Sequence, residues 1–203
     1  SFFTFYLAKI ITFFLGVKTV VYGDFPLKDN ESYIYIANHA SYLDPVFTTF
    51  LIKKKHKYLG KAEMLNWPIF GFVVKKYVVA VKRELKESRY QSMNLMKENL
   101  LNGFSIVLYP EGGWKDETQK HPYDIKPNKI LNQFRNGAFR LSIDSQKKIV
   151  PISLCNVHEI HSSNTMMFKR GQVIMRIHKP IDPRDFSFNE QGIRTLNETC
   201  HSI

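Results

Sequence analysis

The first fifteen residues, Ser1–Leu15 (SFFTFYLAKIITFFL), are apolar or uncharged except for Lys9. At a helical 100° per residue, Ser1, Thr4, Ala8, Lys9 and Thr12 gather on one side. Phe2, Phe3, Tyr6, Leu7, Ile10, Phe13 and Phe14 cover the other, so the spacing predicts an amphipathic helix that Gly16 stops. An aromatic arc of that width suits a helix lying in a membrane interface, although a helix docked on the protein's own core shows the same pattern. The stretch falls short of the about 20 apolar residues of a spanning helix. It also lacks the charged start and small-residue cleavage site of a secretory signal.

Beyond Gly16 the period changes. Val17–Tyr22, Tyr33–Ala37, Tyr58–Lys61, Tyr77–Val81, Ser105–Tyr109, Ile149–Leu154 and Gln172–His178 read as strands, several of them the continuous apolar runs of buried β-structure. Helical spacing runs from about Pro45 to Lys53, through Tyr90, Met93, Leu95, Met96 and Leu100 of Lys86–Leu101, over Ile130–Ile143, and from about Phe188 onward. Strands and helices alternating in this way predict an α/β fold, a mixed, largely parallel sheet flanked by helices. With no internal repeat and no low-complexity linker, residues 17–203 read as one domain behind an N-terminal helix at 1–16.

Composition narrows the function classes. A chain of 203 residues with 44% hydrophobic and 23% charged positions is an ordinary globular protein, which excludes a disordered tail, a collagen and a polytopic membrane protein. Cys155 and Cys200 form no Cys-x-x-Cys pair and supply no disulfide framework. The net charge of +11 calls for an anionic partner, be it nucleic acid, an acidic membrane surface, a phosphorylated substrate or an acidic carrier. Nucleic acid fits poorly, because no helix-turn-helix, RNA-recognition or zinc pattern occurs and the aromatics sit in apolar runs rather than among basic residues. Lys53-Lys54-Lys55-His56-Lys57 reads as a solvated helix end or as a contact for anionic headgroups. His158-Glu159-Ile160-His161 has a spacing open to misreading as a metal site, but it abuts the loop composition Ser162-Ser163-Asn164.

Two segments carry chemistry. Asn38-His39-Ala40-Ser41-Tyr42-Leu43-Asp44 directly follows a strand, at the end where α/β sheets gather functional groups. His39 and Asp44, five residues apart, can pair as base and orienting carboxylate. Asp44-Pro45 also has the form of a helix N-cap with proline at the first helical position. No Gly-x-Ser-x-Gly elbow or other protein nucleophile accompanies the pair, which points to a base acting on a substrate hydroxyl. The second segment, Tyr109-Pro110-Glu111-Gly112-Gly113-Trp114, sets a carboxylate beside two glycines at another strand end, where backbone can approach a polar ligand or cradle an oxyanion.

Together these motifs resemble those of the glycerolipid acyltransferases, and most closely the lysophosphatidate acyltransferases of the bacterial PlsC type. The resemblance extends through Lys61-Ala62-Glu63, Pro68-Ile69-Phe70-Gly71, Val79-Ala80-Val81-Lys82-Arg83, Phe134-Arg135-Asn136-Gly137-Ala138 and Val150-Pro151-Ile152, covering the chain from about Val17 to His178. It implies direct transfer of a fatty acyl group from acyl-CoA or acyl-carrier protein to the free hydroxyl of lysophosphatidate, with His39 as general base and Asp44 orienting it. It further implies that Glu111, Gly112, Arg83 and Lys61 bind the acceptor's glycerol phosphate, that no metal or cofactor takes part, and that the protein works at a membrane with anionic lipids, on the cytoplasmic face of the inner membrane. One departure bears on the acceptor. The family's third motif commonly reads Phe-Pro-Glu-Gly-Thr-Arg, whereas Gly113 and Trp114 stand in its last two places here. Either Lys115, Arg83 and Lys61 rebuild phosphate recognition, or the acceptor is another lysolipid such as a lyso-aminolipid. An inactive relative kept as a membrane-surface interaction protein is the reading from a different class.

Overall fold

The computed structural model describes the chain except at residues 1, 24–26, 29, 53, 67–69, 113–130 and 162–166. Gly113, Trp114, Lys115, Pro68 and Ile69 therefore lie outside the described residues.

The elements run α1 (Phe2–Phe14), β1 (Val17–Tyr22), β2 (Ile34–Ala37), α2 (Asp44–Leu51), β3 (His56–Lys61), α3 (Phe70–Tyr77), β4 (Val78–Val81), α4 (Lys86–Leu101), β5 (Ser105–Leu108), α5 (Gly137–Ser145), β6 (Ile149–Cys155), α6 (Val157–Ile160), β7 (Gly171–Ile177) and α7 (Glu190–His201). Seven strands form one sheet in the order β1-β7-β6-β2-β5-β3-β4. The β6–β7 pairing is antiparallel and every other pairing is parallel, so five consecutive strands, β6-β2-β5-β3-β4, point the same way. Their carboxyl ends consequently share one edge of the sheet.

The central strands are buried on both faces, which is why they read as unbroken apolar runs. Alternation then sends their side chains into two cores. Ile34, Ile36, Ile106 and Leu108 meet Met96 and Leu100 of α4, Phe139 and Leu141 of α5, and Ile193 and Leu196 of α7. Tyr33, Tyr35, Val107, Val150 and Ile152 meet Phe47 of α2, Val157 and Ile160 of α6, and Met175 of β7.

Gly16 ends α1 in the left-handed region at φ 65°, as the sequence indicates. Among the described side chains of α1, Ala8 and Thr12 are buried while Tyr6, Ile10, Phe13 and Phe14 are exposed, Phe13 and Phe14 by 80% and 82%. Ala8 and Thr12 thus meet the protein, while Phe13 and Phe14 at the end of the helix face out, as does the charged Lys9. No helix among the described residues is long and apolar enough to cross a membrane.

Two elements differ from expectation. Phe70–Tyr77 is a helix where the pattern gives no element before Tyr77. The helix expected over Ile130–Ile143 begins only at Gly137, because residues 131–136 run beside Pro110–Gly112 and bond to it: the Asn132 N–H reaches Glu111 and the Arg135 N–H reaches Pro110.

Candidate active site

Five of the expected site residues follow from the parallel strands. His39 lies just past β2, Glu111 and Gly112 past β5, Lys61 at the end of β3 and Arg83 past β4, and these strands are successive neighbours in the sheet. Residues 22 to 73 positions from His39 in sequence are thus gathered along one edge by topology alone.

The centre of the edge is a hydrogen-bonded pair. His39 Nδ1 lies 2.6 Å from Asp44 Oδ2, with the Asp44 side chain fully buried and that of His39 14% exposed. The same carboxylate oxygen accepts the backbone N–H groups of Ala40 at 2.7 Å and Ser41 at 2.9 Å. An oxygen receiving two backbone donors is not the one carrying a proton, so Nδ1 must donate to it and the lone pair belongs to Nε2. Asp44 does not act as the N-cap that Asp-Pro predicts. It is the first residue of α2, the cap position falls to Leu43 without a side-chain bond, and the carboxylate turns back into the loop instead of forward along the helix.

The loop is braced from several sides. Asn38 extends the β2–β6 ladder through its side chain, giving an N–H to Leu154 O and accepting one from Leu154 N at 2.9 and 2.7 Å. The buried Ser41 hydroxyl accepts the Leu43 N–H and shares a hydrogen bond with Nδ1 of His161, itself buried and stacked on Phe168. Tyr109 stacks on the His39 ring with centroids 4.2 Å apart and planes 17° from parallel. Its hydroxyl meets Thr48, and Thr48 and Thr49 meet the Tyr58 hydroxyl beneath α2. Burial pushes the Tyr58 phenol up to about 12 and that of Tyr109 well above its ordinary value, so both remain neutral spacers.

The buried Glu111 carboxylate joins His39 to the second segment. One oxygen accepts the His39 backbone N–H at 2.8 Å and the other accepts that of Asn132 at 3.0 Å. The next residue, Gly112, has φ 81°, and a Cβ there would run into the Arg135 guanidinium. The Arg83 guanidinium donates to the Gly112 carbonyl. Arg83 is half-buried and Lys61 is exposed. Burial first, and the charge of Arg135 second, press the Arg83 pKa below its ordinary value.

The pattern of residue types alone did not bring Asn38, Ser41, Tyr109, Asn132, Arg135 or His161 to the site. Asn38, Ser41 and Tyr109 lie inside the two motifs, and that membership is their signal. Arg135 and His161 stand in segments the sequence also singles out, but their place at the site, like that of Asn132, becomes visible only when the loops are placed.

Other candidates fall elsewhere. Among the described residues no group of three or more His, Cys, Asp or Glu side chains is placed to hold a metal. His158 belongs to α6, while His161 lies beyond it in extended backbone. In the basic run, His56 is buried with its ring bonded to Lys54 O, and Lys54 reaches back to the carbonyls of Lys28 and Glu31. Burial pushes the Cys200 thiol up to about 12, so it is not an activated nucleophile.

Comparison with known proteins matches residues 18–155 to the Acyltransferase family model. The chain is 28% identical over 150 residues to a chloroplastic 1-acyl-sn-glycerol-3-phosphate acyltransferase of Arabidopsis thaliana, covering 73% of this chain and 39% of that protein. It is 27% identical over 192 residues to the 1-acyl-sn-glycerol-3-phosphate acyltransferase of Saccharomyces cerevisiae, covering 90% of this chain and 58% of that one. The chain therefore spans about half the length of these relatives. The crystal structure of the 1-acyl-sn-glycerophosphate acyltransferase PlsC from Thermotoga maritima superimposes with a TM-score of 0.78 at 20% identity, covering 97% of this chain and 74% of that one, and shares the fold.

Proposed function

The chain belongs to the Acyltransferase family, and from that premise we propose that it transfers a fatty acyl group from a thioester to the free hydroxyl of lysophosphatidate, giving phosphatidate. The observation that carries this reading is the His39–Asp44 pair, held at 2.6 Å beside the Glu111–Gly112 turn. Asp44 fixes the His39 ring so that Nε2 is its basic nitrogen. His39 Nε2 takes the proton of the acceptor hydroxyl as its oxygen attacks the thioester carbonyl. The C–S bond breaks, and the imidazolium returns that proton to the leaving thiolate. Asp44 offsets the positive charge on the ring throughout. The acyl group passes straight to the acceptor, with no acyl-enzyme. Glu111 holds the His39 backbone in register, and Gly112, Arg83 and Lys61 face the acceptor's glycerol phosphate, with Lys115 as a further cation for the same group.

The exposed aromatic side of α1, with Tyr6, Ile10, Phe13 and Phe14 turned away from the protein, supports a working position at a lipid surface. Both substrates are amphiphiles that reside there, and the +11 charge favours anionic lipid. Acyl-CoA and acyl-carrier protein are the two donors that satisfy the thioester chemistry.

The test is an acceptor panel with one labelled long-chain acyl-CoA: lysophosphatidate, lysophosphatidylcholine, lysophosphatidylethanolamine and a lyso-aminolipid. Lysophosphatidate is expected to give the highest rate of thiol release and a labelled phosphatidate product. A preference for the phosphate-free lyso-aminolipid would overturn the acceptor assignment and give Trp114 its meaning. No transfer to any acceptor from either donor would favour a non-catalytic membrane-surface protein.

A further inference from the structure

Arg135 was not among the residues assigned to the acceptor, yet the fold delivers it to the same turn as Arg83. Its backbone N–H bonds to Pro110 O at 2.9 Å, and its guanidinium lies against the Cα of Gly112, in the space a side chain would fill. The Arg83 guanidinium bonds to the carbonyl of the same glycine. Two permanent cations thus converge on one glycine, one residue from the carboxylate that braces His39. Glu63 and Glu84 are near enough to act on Arg83 electrostatically. Among the described residues, however, no carboxylate lies within 4 Å of either guanidinium, whereas Arg140 pairs with Glu190 and Arg184 with Asp182. Two like charges left beside one another repel unless an anion is shared between them. The pressure of Arg135 on the Arg83 pKa is that repulsion.

We propose that Arg83 and Arg135 form a two-guanidinium clamp for the phosphate monoester of the acceptor, with Arg135 setting the preference for a terminal phosphate over a phosphodiester headgroup. The chemistry follows from counting. A monoester offers a dianion and three terminal oxygens, enough for two planar forks approaching from different sides. A phosphodiester offers one charge and two free oxygens, which satisfies one fork and leaves the second cation uncompensated. The glycine is required because Arg135 occupies the place of a Cβ. The inference rests on the lysophosphatidate reading above and specifies the group that selects it.

The experiment compares wild type with Arg135→Gln, Arg135→Lys and Arg83→Gln, using Lys97→Gln as an exposed-charge control on α4. Each is titrated with lysophosphatidate and lysophosphatidylcholine in detergent micelles without donor, and each is assayed for acyl transfer. Loss of one charged hydrogen-bonding partner is expected to raise Kd and KM for lysophosphatidate about tenfold to a hundredfold. The kcat should change less than about threefold, and Arg135→Lys should lie between wild type and Arg135→Gln because an ammonium keeps the charge without the fork. Binding of lysophosphatidylcholine should be unaffected by Arg135→Gln, so discrimination collapses in that variant. If Arg135→Gln leaves Kd and KM unchanged, or if Lys97→Gln shifts them equally, the clamp is refuted while the acyl-transfer reading stands. If lysophosphatidate binds through Arg135 but wild type forms no phosphatidate, the clamp stands and the catalytic reading falls.

Discussion

Asp44→Asn separates the charge of Asp44 from its shape. The asparagine carbonyl oxygen, placed where Oδ2 sits, can still accept from His39 Nδ1 and from the Ala40 and Ser41 N–H groups. Its NH2 then takes the place of Oδ1, a buried atom with no hydrogen-bond partner among the described residues. Stranding a donor there costs about 1–3 kcal/mol of stability, so the variant should fold. The charge is what catalysis loses. At an effective dielectric of about 20, a carboxylate about 4 Å from the imidazolium charge centre contributes roughly 4 kcal/mol. Because the His39 side chain is 14% exposed, water screens part of that, leaving about 3–4 kcal/mol, or 10²–10³ in kcat at ~1.4 kcal/mol per decade. Asp44→Ala should destabilise by about 3–5 kcal/mol as well, since it leaves a buried polar partnership broken on one side. The assay is single-turnover transfer from labelled acyl-CoA, with circular dichroism and a urea melt to establish folding. A folded Asp44→Asn protein retaining kcat within about fivefold of wild type would refute the charge-compensation argument.

Three further outcomes follow from the same geometry. Glu111→Gln keeps one acceptor and turns a donor toward a backbone N–H, so one of its two clasps breaks. That should cost about 2 kcal/mol of stability and at least tenfold in kcat, read by urea denaturation and turnover, while unchanged values would show the clasp idle. Burial holds His56 below its ordinary pKa, so the unfolded chain takes up this proton first as pH falls. Its contribution to stability is complete above about pH 6.5 and declines below it. The half-buried His178 shifts in the same direction, and a melting temperature that rose from pH 7.5 to 5.5 would contradict the sign. Phe139→Ala empties a fully buried ring position in the core under α4, α5 and α7 and should cost about 3–5 kcal/mol in a urea melt, with a loss under 1 kcal/mol counting against the packing described.

The sequence made the strand framework readable because the central strands are buried on both faces and leave no ambiguity of period: Tyr33–Ala37 and Ser105–Tyr109 are uninterrupted apolar runs, and each is followed directly by its motif. The His39–Asp44 pairing was legible because a five-residue spacing across a turn restricts both side chains. The direction of the Asp44 carboxylate was not. Forward capping and backward bonding use the same residue at the same spacing, and only the Ala40 and Ser41 amides decide between them. Phe70–Tyr77 was missed because its two valines and aromatic ends blend into the strand behind it, whereas packing on the sheet makes it a helix. The late start of α5 and the arrival of Arg135 share one cause. Residues 131–136 are held out of the helix by bonds to Pro110 and Glu111, partners more than twenty positions away that no local pattern reveals. The outer pairing of β1 with β7 is non-local in the same sense.

In the proposed reaction the His39 imidazole removes the acceptor's proton while the thioester carbon passes directly to oxygen. Formation of labelled phosphatidate by purified His39→Ala, measured beside wild type at saturating lysophosphatidate and acyl-CoA, tests it most directly. The account predicts a folded variant that binds lysophosphatidate as wild type does and turns over at least about 10³-fold more slowly. Phosphatidate formed by that variant at a rate near wild type would contradict it.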